Sequence, residues 1–465
     1  MWSTTLTEST TGGTLALAID PRGERAAMGM VRGAVVLIDL RTGETTAVDS
    51  GAAFPPGSPR STPKPTLACY RRPVVRLNTV GSVGVLALLG ACGVREEPLV
   101  TDTLTSTSTT ALTTSGETAL GRCDESWEHS GDLIITQTSD PQELRCLTVV
   151  AGSLRIAGDV PAEVLVGLAD LRRVTGTLFL VDNGVLGELD VFSRLEQVDT
   201  LILRRATALT DLGGLAGLKS ARVVELCELG ITALPSFAPD FTGIARLDLC
   251  DNSALTDLSA ASSWGVGPEP DSLTFFFTGN DALSSLAGLS GLVEDLGDRP
   301  LDARLWNNPE LASLAGLSAT NLSFLSVMSA PKLTDLEGLA TAARGDTIEL
   351  DQIPLLTSLK GLHNMTSIDR LTLGGCIIDG FGGLDGITSL AGLDAVTHID
   401  TLVLVNNDAL TSLDGAPALQ MIDEFRAGAN PALSQATYDA FVAQFAVPPY
   451  GCFGTWSMCN CPDQN

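Results

Sequence analysis

The chain has 465 residues, with 28 Lys and Arg against 55 Asp and Glu and a formal net charge of −27. A surface this acidic repels nucleic acid and anionic lipid, and with only four lysines in the whole chain there is no basic stripe to offset it. Aromatic residues are sparse while Leu, Ala and Gly abound, which suits closely stacked backbone better than a bulky aromatic core.

Residues 13–48, GTLALAIDPRGERAAMGMVRGAVVLIDLRTGETTAV, resemble one blade of a WD-type propeller. A lone blade leaves its faces and strand edges uncovered, so residues 1–70 are expected to be a poorly ordered extension. The Pro-rich FPPGSPRSTPKP at 54–65 reads as linker. Residues 71–92, RRPVVRLNTVGSVGVLALLGAC, have the three parts of a secretory signal: Arg71, Arg72 and Arg76, an apolar run from Val80 to Leu89, then small residues before Cys92. That run is too short to span a bilayer. Leu89-Gly90-Ala91-Cys92 resembles the bacterial lipobox. The resemblance implies lipidation of Cys92, and Gly93 after it implies sorting to the outer membrane of a Gram-negative bacterium. Such a signal belongs at an N-terminus, and two explanations stand side by side: translation from an alternative codon near Val74 or Val75, or a genuine preceding segment. Residues 93–122 include the Thr/Ser-rich VTDTLTSTSTTALTTSGETALG, which cannot bury a core and reads as a flexible tether of about 30 Å. Beyond Cys92 the chain holds 19 basic and 49 acidic residues.

From 154 to 430 a pattern recurs, apolar-x-apolar-x-x-Asn, most often every 23 residues. The Asn slot holds Asp159, Asn183, Ala206, Leu229, Asn252, Asn280, Asn308, Ala330, Ile353, Cys376, Asn407 and Asn430. Apolar residues five and three places earlier, such as Leu178 and Leu180 or Leu402 and Leu404, predict a short strand with one buried face. A Leu three places after the slot, as at Leu255 and Leu311, is expected to turn inward. A buried Asn at the corner can satisfy backbone groups that the turn leaves unpaired, so Asn183, Asn252, Asn280, Asn308, Asn407 and Asn430, with Cys376 as a substitute, form an expected structural ladder. Five places after the slot stand Glu188, Asp211, Asp257, Ser285, Ser313, Asp335, Ser358 and Ser412. Alternation of Asp with Ser points to capping of short turns rather than to metal or acid–base chemistry. The Gly that follows limits each turn.

The segments GDLIITQTSDPQELRCLTVVAGSLRI (131–156), GTLFLVDNGVLGELD (176–190) and TLVLVNNDALTSLDG (401–415) resemble bacterial receptor-L-domain proteins. This implies a mainly β, right-handed, leucine-rich-repeat-like solenoid of about twelve coils across 123–461, with one parallel sheet and short capped turns. Twelve coils at strand spacing would make a rod of about 60 Å. Longer steps mark three insertions, at 259–272, 293–302 and 382–394, expected to loop outward.

Cys123 and Cys146 flank the first strand and are expected to close an N-terminal cap. Cys452 is expected to pair with Cys459 or Cys461, which are too close in sequence to pair with each other without strain. Cys227 and Cys250 lie on the outward face of neighbouring coils, at a spacing of about 4.8 Å that permits a disulfide. No zinc site is expected, since paired cysteine motifs are absent.

His129, His363 and His398 are the only histidines, and none adjoins a nucleophile motif. Outward carboxylates (Glu225, Asp248, Glu349, Asp351) read as scattered. The chain is therefore expected to be a monomeric, non-enzymatic binding module without cofactor or metal. Its expected ligand is a protein or glycan at the cell surface, and its link to the membrane is the lipid alone. A β-helix carbohydrate-active enzyme and a passive envelope scaffold are the alternatives. The candidate ligand patch is Phe276, Arg304, Trp306 and Met328, on three neighbouring coils with insertions on either side; the competing reading lays Trp306 against the 259–272 insertion.

Overall fold

The computed structural model describes residues 126–268, 270–375 and 383–454, together with the backbone of five strands between residues 3 and 49. The chain divides into two units, Met1–Thr114 and Ser115–Asn465. In the first, strands Ser3–Thr4, Ala16–Ile19, Arg25–Gly29, Ala34–Asp39 and Thr45–Asp49 each pair antiparallel with the next. The signal segment, Cys92 and the tether fall outside the described residues, and among those described no helix is long and apolar enough to cross a membrane.

The second unit is mainly β, with one 16-stranded parallel sheet that does not close into a barrel. From Gln197–Arg204 to Tyr450–Gly454 each strand pairs with its neighbours in the sequence, whereas Arg173–Val181 pairs on its other side with both Leu147–Ala151 and Leu154–Ala157. Period-two alternation sets the faces: Leu178, Leu180, Leu247, Leu249, Phe275, Phe277, Leu371, Leu373, Leu402 and Leu404 are all buried. The Leu three places after each Asn slot (Leu255, Leu283, Leu311, Leu333) turns into the same continuous core. Each such side chain contributes about 1.5–3 kcal/mol by leaving water.

The corner after each strand has a common backbone device. The residue just before the slot takes positive φ at Asp182, Arg205, Glu228, Asp251, Gly279, Asn307, Ser329, Gln352, Asn406 and Ala429. The slot Asn then works in both directions. Asn280 Nδ2 donates to the Leu249 carbonyl at 3.0 Å and to Asn308 Oδ1 at 3.2 Å. Its own Oδ1 accepts the Asn252 backbone N–H at 3.3 Å. Asn407 and Asn430 repeat the motif, with Asn407 N–H donating to Asn430 Oδ1 at 2.9 Å. Where Ala330 and Ile353 fill the slot, a polar contact sits one residue earlier, Ser329 Oγ to Gln352 Oε1 at 2.6 Å. Cys376 lies outside the described residues.

The Asp/Ser column heads the short turns. Asp211, Asp257 and Asp335 accept from the N–H two residues on at 2.7, 2.7 and 3.0 Å. Ser285, Ser313, Ser358 and Ser412 do the same at 3.2, 3.1, 3.1 and 3.0 Å. The acceptor stands one residue before the leucine that starts the helical turn, as at Leu212 and Leu286, so it tightens the entry rather than occupying the cap itself. The following glycine has a different reason from the expected one. A Cβ on Gly338 would lie 2.1 Å from the Leu314 carbonyl oxygen, and one on Gly288 would lie 2.3 Å from the Leu258 carbonyl carbon. Glycine there permits close stacking of one turn on the previous one.

The insertions do not simply loop outward. Leu384, Ile387, Leu390 and Leu393 are buried at every third position. Ala261, Trp264 and Val266 in one insertion and Val293, Leu296 and Leu301 in the next are also buried. These two insertions clasp each other: Arg299 donates to the carbonyls of Gly267 at 2.6 Å and Pro270 at 3.1 Å, and the Val266 N–H donates to Asp295 Oδ2 at 2.7 Å.

Cys227 and Cys250 form a disulfide with a Cα separation of 4.5 Å. Cys146 and Cys452 are each disulfide-bonded, and the partners expected for them (Cys123, Cys459, Cys461) lie outside the described residues.

Candidate functional site

The outward strand positions form a grid, because parallel register stacks equivalent residues of neighbouring strands. Its central row reads Asp248, Phe276, Arg304, Ser326 and Glu349. The row nearer the corners reads Cys250, Thr278, Trp306, Met328 and Asp351, and the row nearer the strand starts reads Arg246, Thr274, Asp302, Phe324 and Thr347. Strands Leu273–Thr278, Leu301–Trp306 and Asn321–Met328 therefore bring Phe276, Arg304, Trp306 and Met328 onto one surface, each partly exposed.

Trp306 meets Phe276 edge to face with ring centroids 5.3 Å apart, and its Nε1 donates to the fully buried Ser326 Oγ at 2.9 Å. The indole is thus held in one orientation. The ring and hydrogen-bond contacts of the Trp306 side chain are with neighbouring strands, whereas the insertion's own Trp264 stacks on Phe237 at 4.8 Å and beside Phe241 at 5.5 Å. Arg304 lies over the Phe324 ring at 4.9 Å and donates to Asp302 Oδ2 at 3.1 Å. Arg304 Nε and Asp302 Oδ1 are shielded from solvent with no hydrogen-bond partner. Burial pushes the Asp302 carboxyl above its ordinary value, against the pull of Arg304.

No family model matches the chain and no curated protein matches it.

Beyond the disulfide, the outward carboxylates are less scattered than the sequence suggests. Glu225 and Asp248 are register neighbours on strands Val223–Cys227 and Arg246–Cys250. Each has its own guanidinium. Arg204 Nε donates to Glu225 at 2.8 Å, and Arg246 Nε grips both Asp248 oxygens at 2.8 and 2.9 Å. Asp248 is buried, and desolvation raises its carboxyl despite Arg246. The other two, Glu349 and Asp351, share one strand, and Asp351 is buried. Sequence spacing could have paired Glu225 with Asp248, since they are 23 residues apart in the same column.

Proposed function

We propose that this chain is an exported, non-enzymatic binding protein, lipid-anchored through Cys92. In this reading its second unit is a right-handed leucine-rich-repeat-like solenoid of about twelve coils, of the receptor L-domain kind. The outward grid around Trp306 is its contact surface for a protein or glycan outside the cell. The supporting observation is the part-exposed Trp306, braced by Phe276 and Ser326 beside the Arg304–Asp302 pair. A rigid aromatic face flanked by a fixed donor–acceptor pair suits a sugar ring or an aromatic-rich protein patch, which gain from stacking and from oriented hydrogen bonds.

The test compares the full chain with Trp306→Ala and Arg304→Ala on glycan arrays and in pull-downs from cell-surface extracts. Loss of a specific partner in both variants, with unchanged circular dichroism, supports the surface. Undiminished binding to the same partner relocates it. N-terminal mass spectrometry of membrane-extracted protein tests the acylation of Cys92 and the start site together.

The second reading, a carbohydrate-active enzyme, draws on the adjacent Glu225 and Asp248. Pairing of each with an arginine works against a mobile acid–base couple. Release of reducing ends from polysaccharide by the purified chain, abolished in Asp248→Asn, would favour it.

A further inference from the structure

Toward the strand starts, four consecutive strands carry a column of aspartates. Asp346 lies in Arg344–Asp351, Asp369 in Ser367–Leu373, Asp400 in His398–Val405 and Asp423 in Met421–Gly428. The first two share one arginine: Arg344 Nε is 3.3 Å from Asp346 Oδ1, and its Nη2 is 3.7 Å from Asp369 Oδ2. The second two share a histidine in the same register position, through Arg344↔Ser367 and Ser367↔His398. His398 Nε2 is 3.3 Å from Asp400 Oδ1 and 3.7 Å from Asp423 Oδ1. The construction is repeated with imidazole in place of guanidinium.

That replacement changes the chemistry. A guanidinium can only donate, whereas a neutral imidazole presents a lone pair. The Nε2 atom itself is shielded from solvent and is not aligned for a hydrogen bond with either carboxylate, although the His398 side chain is 32% exposed. Asp400 and Asp423 make no ion pair other than that with His398 among the described residues. The three ligand atoms lie within 4.8 Å of one another. An ion with bonds of about 2.0–2.2 Å to nitrogen and oxygen has tetrahedral ligand–ligand edges of about 3.3–3.6 Å. The two distances from Nε2 bracket that range closely. Both strands are paired in fixed register, through His398↔Met421 and Thr401↔Glu424, so the two aspartates are held on rigid backbone.

We infer that His398, Asp400 and Asp423 form a binding site for a divalent transition-metal ion of the zinc type. One nitrogen and two carboxylates satisfy such an ion with water in its remaining position, whereas calcium and magnesium favour six or more oxygens. The site is independent of the proposed role of the Trp306 surface and stands or falls separately.

The test is calorimetric titration of the full chain with Zn2+, paralleled by Co2+ absorption in the visible. The wild-type chain is expected to bind one more equivalent than His398→Ala. Asp400→Asn and Asp423→Asn should each weaken that equivalent by at least about tenfold. Asp346→Asn, in the same column but held by Arg344, should leave it unchanged. Equal stoichiometry in wild type and His398→Ala overturns the site. So does an Asp346→Asn variant as weak as Asp400→Asn, which would assign the ion to diffuse acidic charge. Circular dichroism of each variant excludes unfolding as the cause.

Discussion

The two faces of the same sheet differ in what they repeat. Inward, position after position is Leu, Ile, Val, Phe or Ala, and the buried Asn residues recur with the same backbone partners. Outward, the strands that supply Leu305 and Phe277 to the core present Arg304, Trp306 and Phe276, and no neighbouring strand repeats that set. Repetition is what stacking requires, since each layer must fit the one beneath. Variation on the opposite face is free of that requirement and is where recognition can be written. Stability should therefore reside on one face and binding on the other, and substitutions can be ranked by that division.

The largest effect is expected inside. Leu305→Ala removes a fully buried side chain from the core between two strands and should destabilise the second unit by about 4 kcal/mol in urea unfolding. Asn280→Ala should follow at about 3 kcal/mol, because it leaves the Leu249 carbonyl and the Asn252 N–H buried without their partner. Gly338→Ala should cost about 2 kcal/mol by forcing the turn off the Leu314 carbonyl. A Gly338→Ala chain as stable as wild type would show that the turns stack less tightly than described.

Outward substitutions sharpen the contrast. Burial raises the Asp302 carboxyl above its ordinary 3.8, so the folded chain holds this proton to higher pH than the unfolded chain does. Its contribution to stability is present below 3.8 and is lost as pH rises through the raised value. Asp302→Asn should accordingly flatten the stability profile in the window that opens above 3.8, measured by urea unfolding at several pH values. Trp306→Ala should have the smallest effect on folding, about 1 kcal/mol or less, since it loses one hydrogen bond and one ring contact from a partly exposed site. A loss as large as that of Asn280→Ala would make the indole a structural element and erase the distinction between the faces.

Much of the stack was legible because it is periodic. Alternating leucines mark strands and their buried side, and Asn at fixed offsets marks corners that need polar help. The parallel sheet follows from those two signals. The column of positive-φ residues was not legible, since Asp182, Arg205, Ser329, Gln352 and Ala429 share a conformation and no chemistry. The glycine after each capped turn was visible, yet its cause lies in the neighbouring layer, at Leu258 or Leu314, which one repeat read alone does not reveal. The third insertion carries its own core signal in Leu384, Ile387, Leu390 and Leu393, a three-residue spacing hidden by attention to a longer period. The outward groupings were readable only across repeats. Glu225 beside Asp248, and His398 beside Asp423, each join residues from adjacent strands. Which part of a face is braced by neighbours, as Trp306 is by Ser326, depends on side-chain packing across strands that residue spacing does not encode.

The order of strands in the sheet has a kinetic corollary. From Gln197–Arg204 onward each strand pairs only with those directly before and after it in the chain, so assembly there closes loops of one repeat at a time. The entropy lost at each closure grows only slowly with loop length and never involves the whole chain. Structure can start wherever neighbouring layers first meet and then spread like a zipper in both directions, with the Cys227–Cys250 link as one covalent starting point.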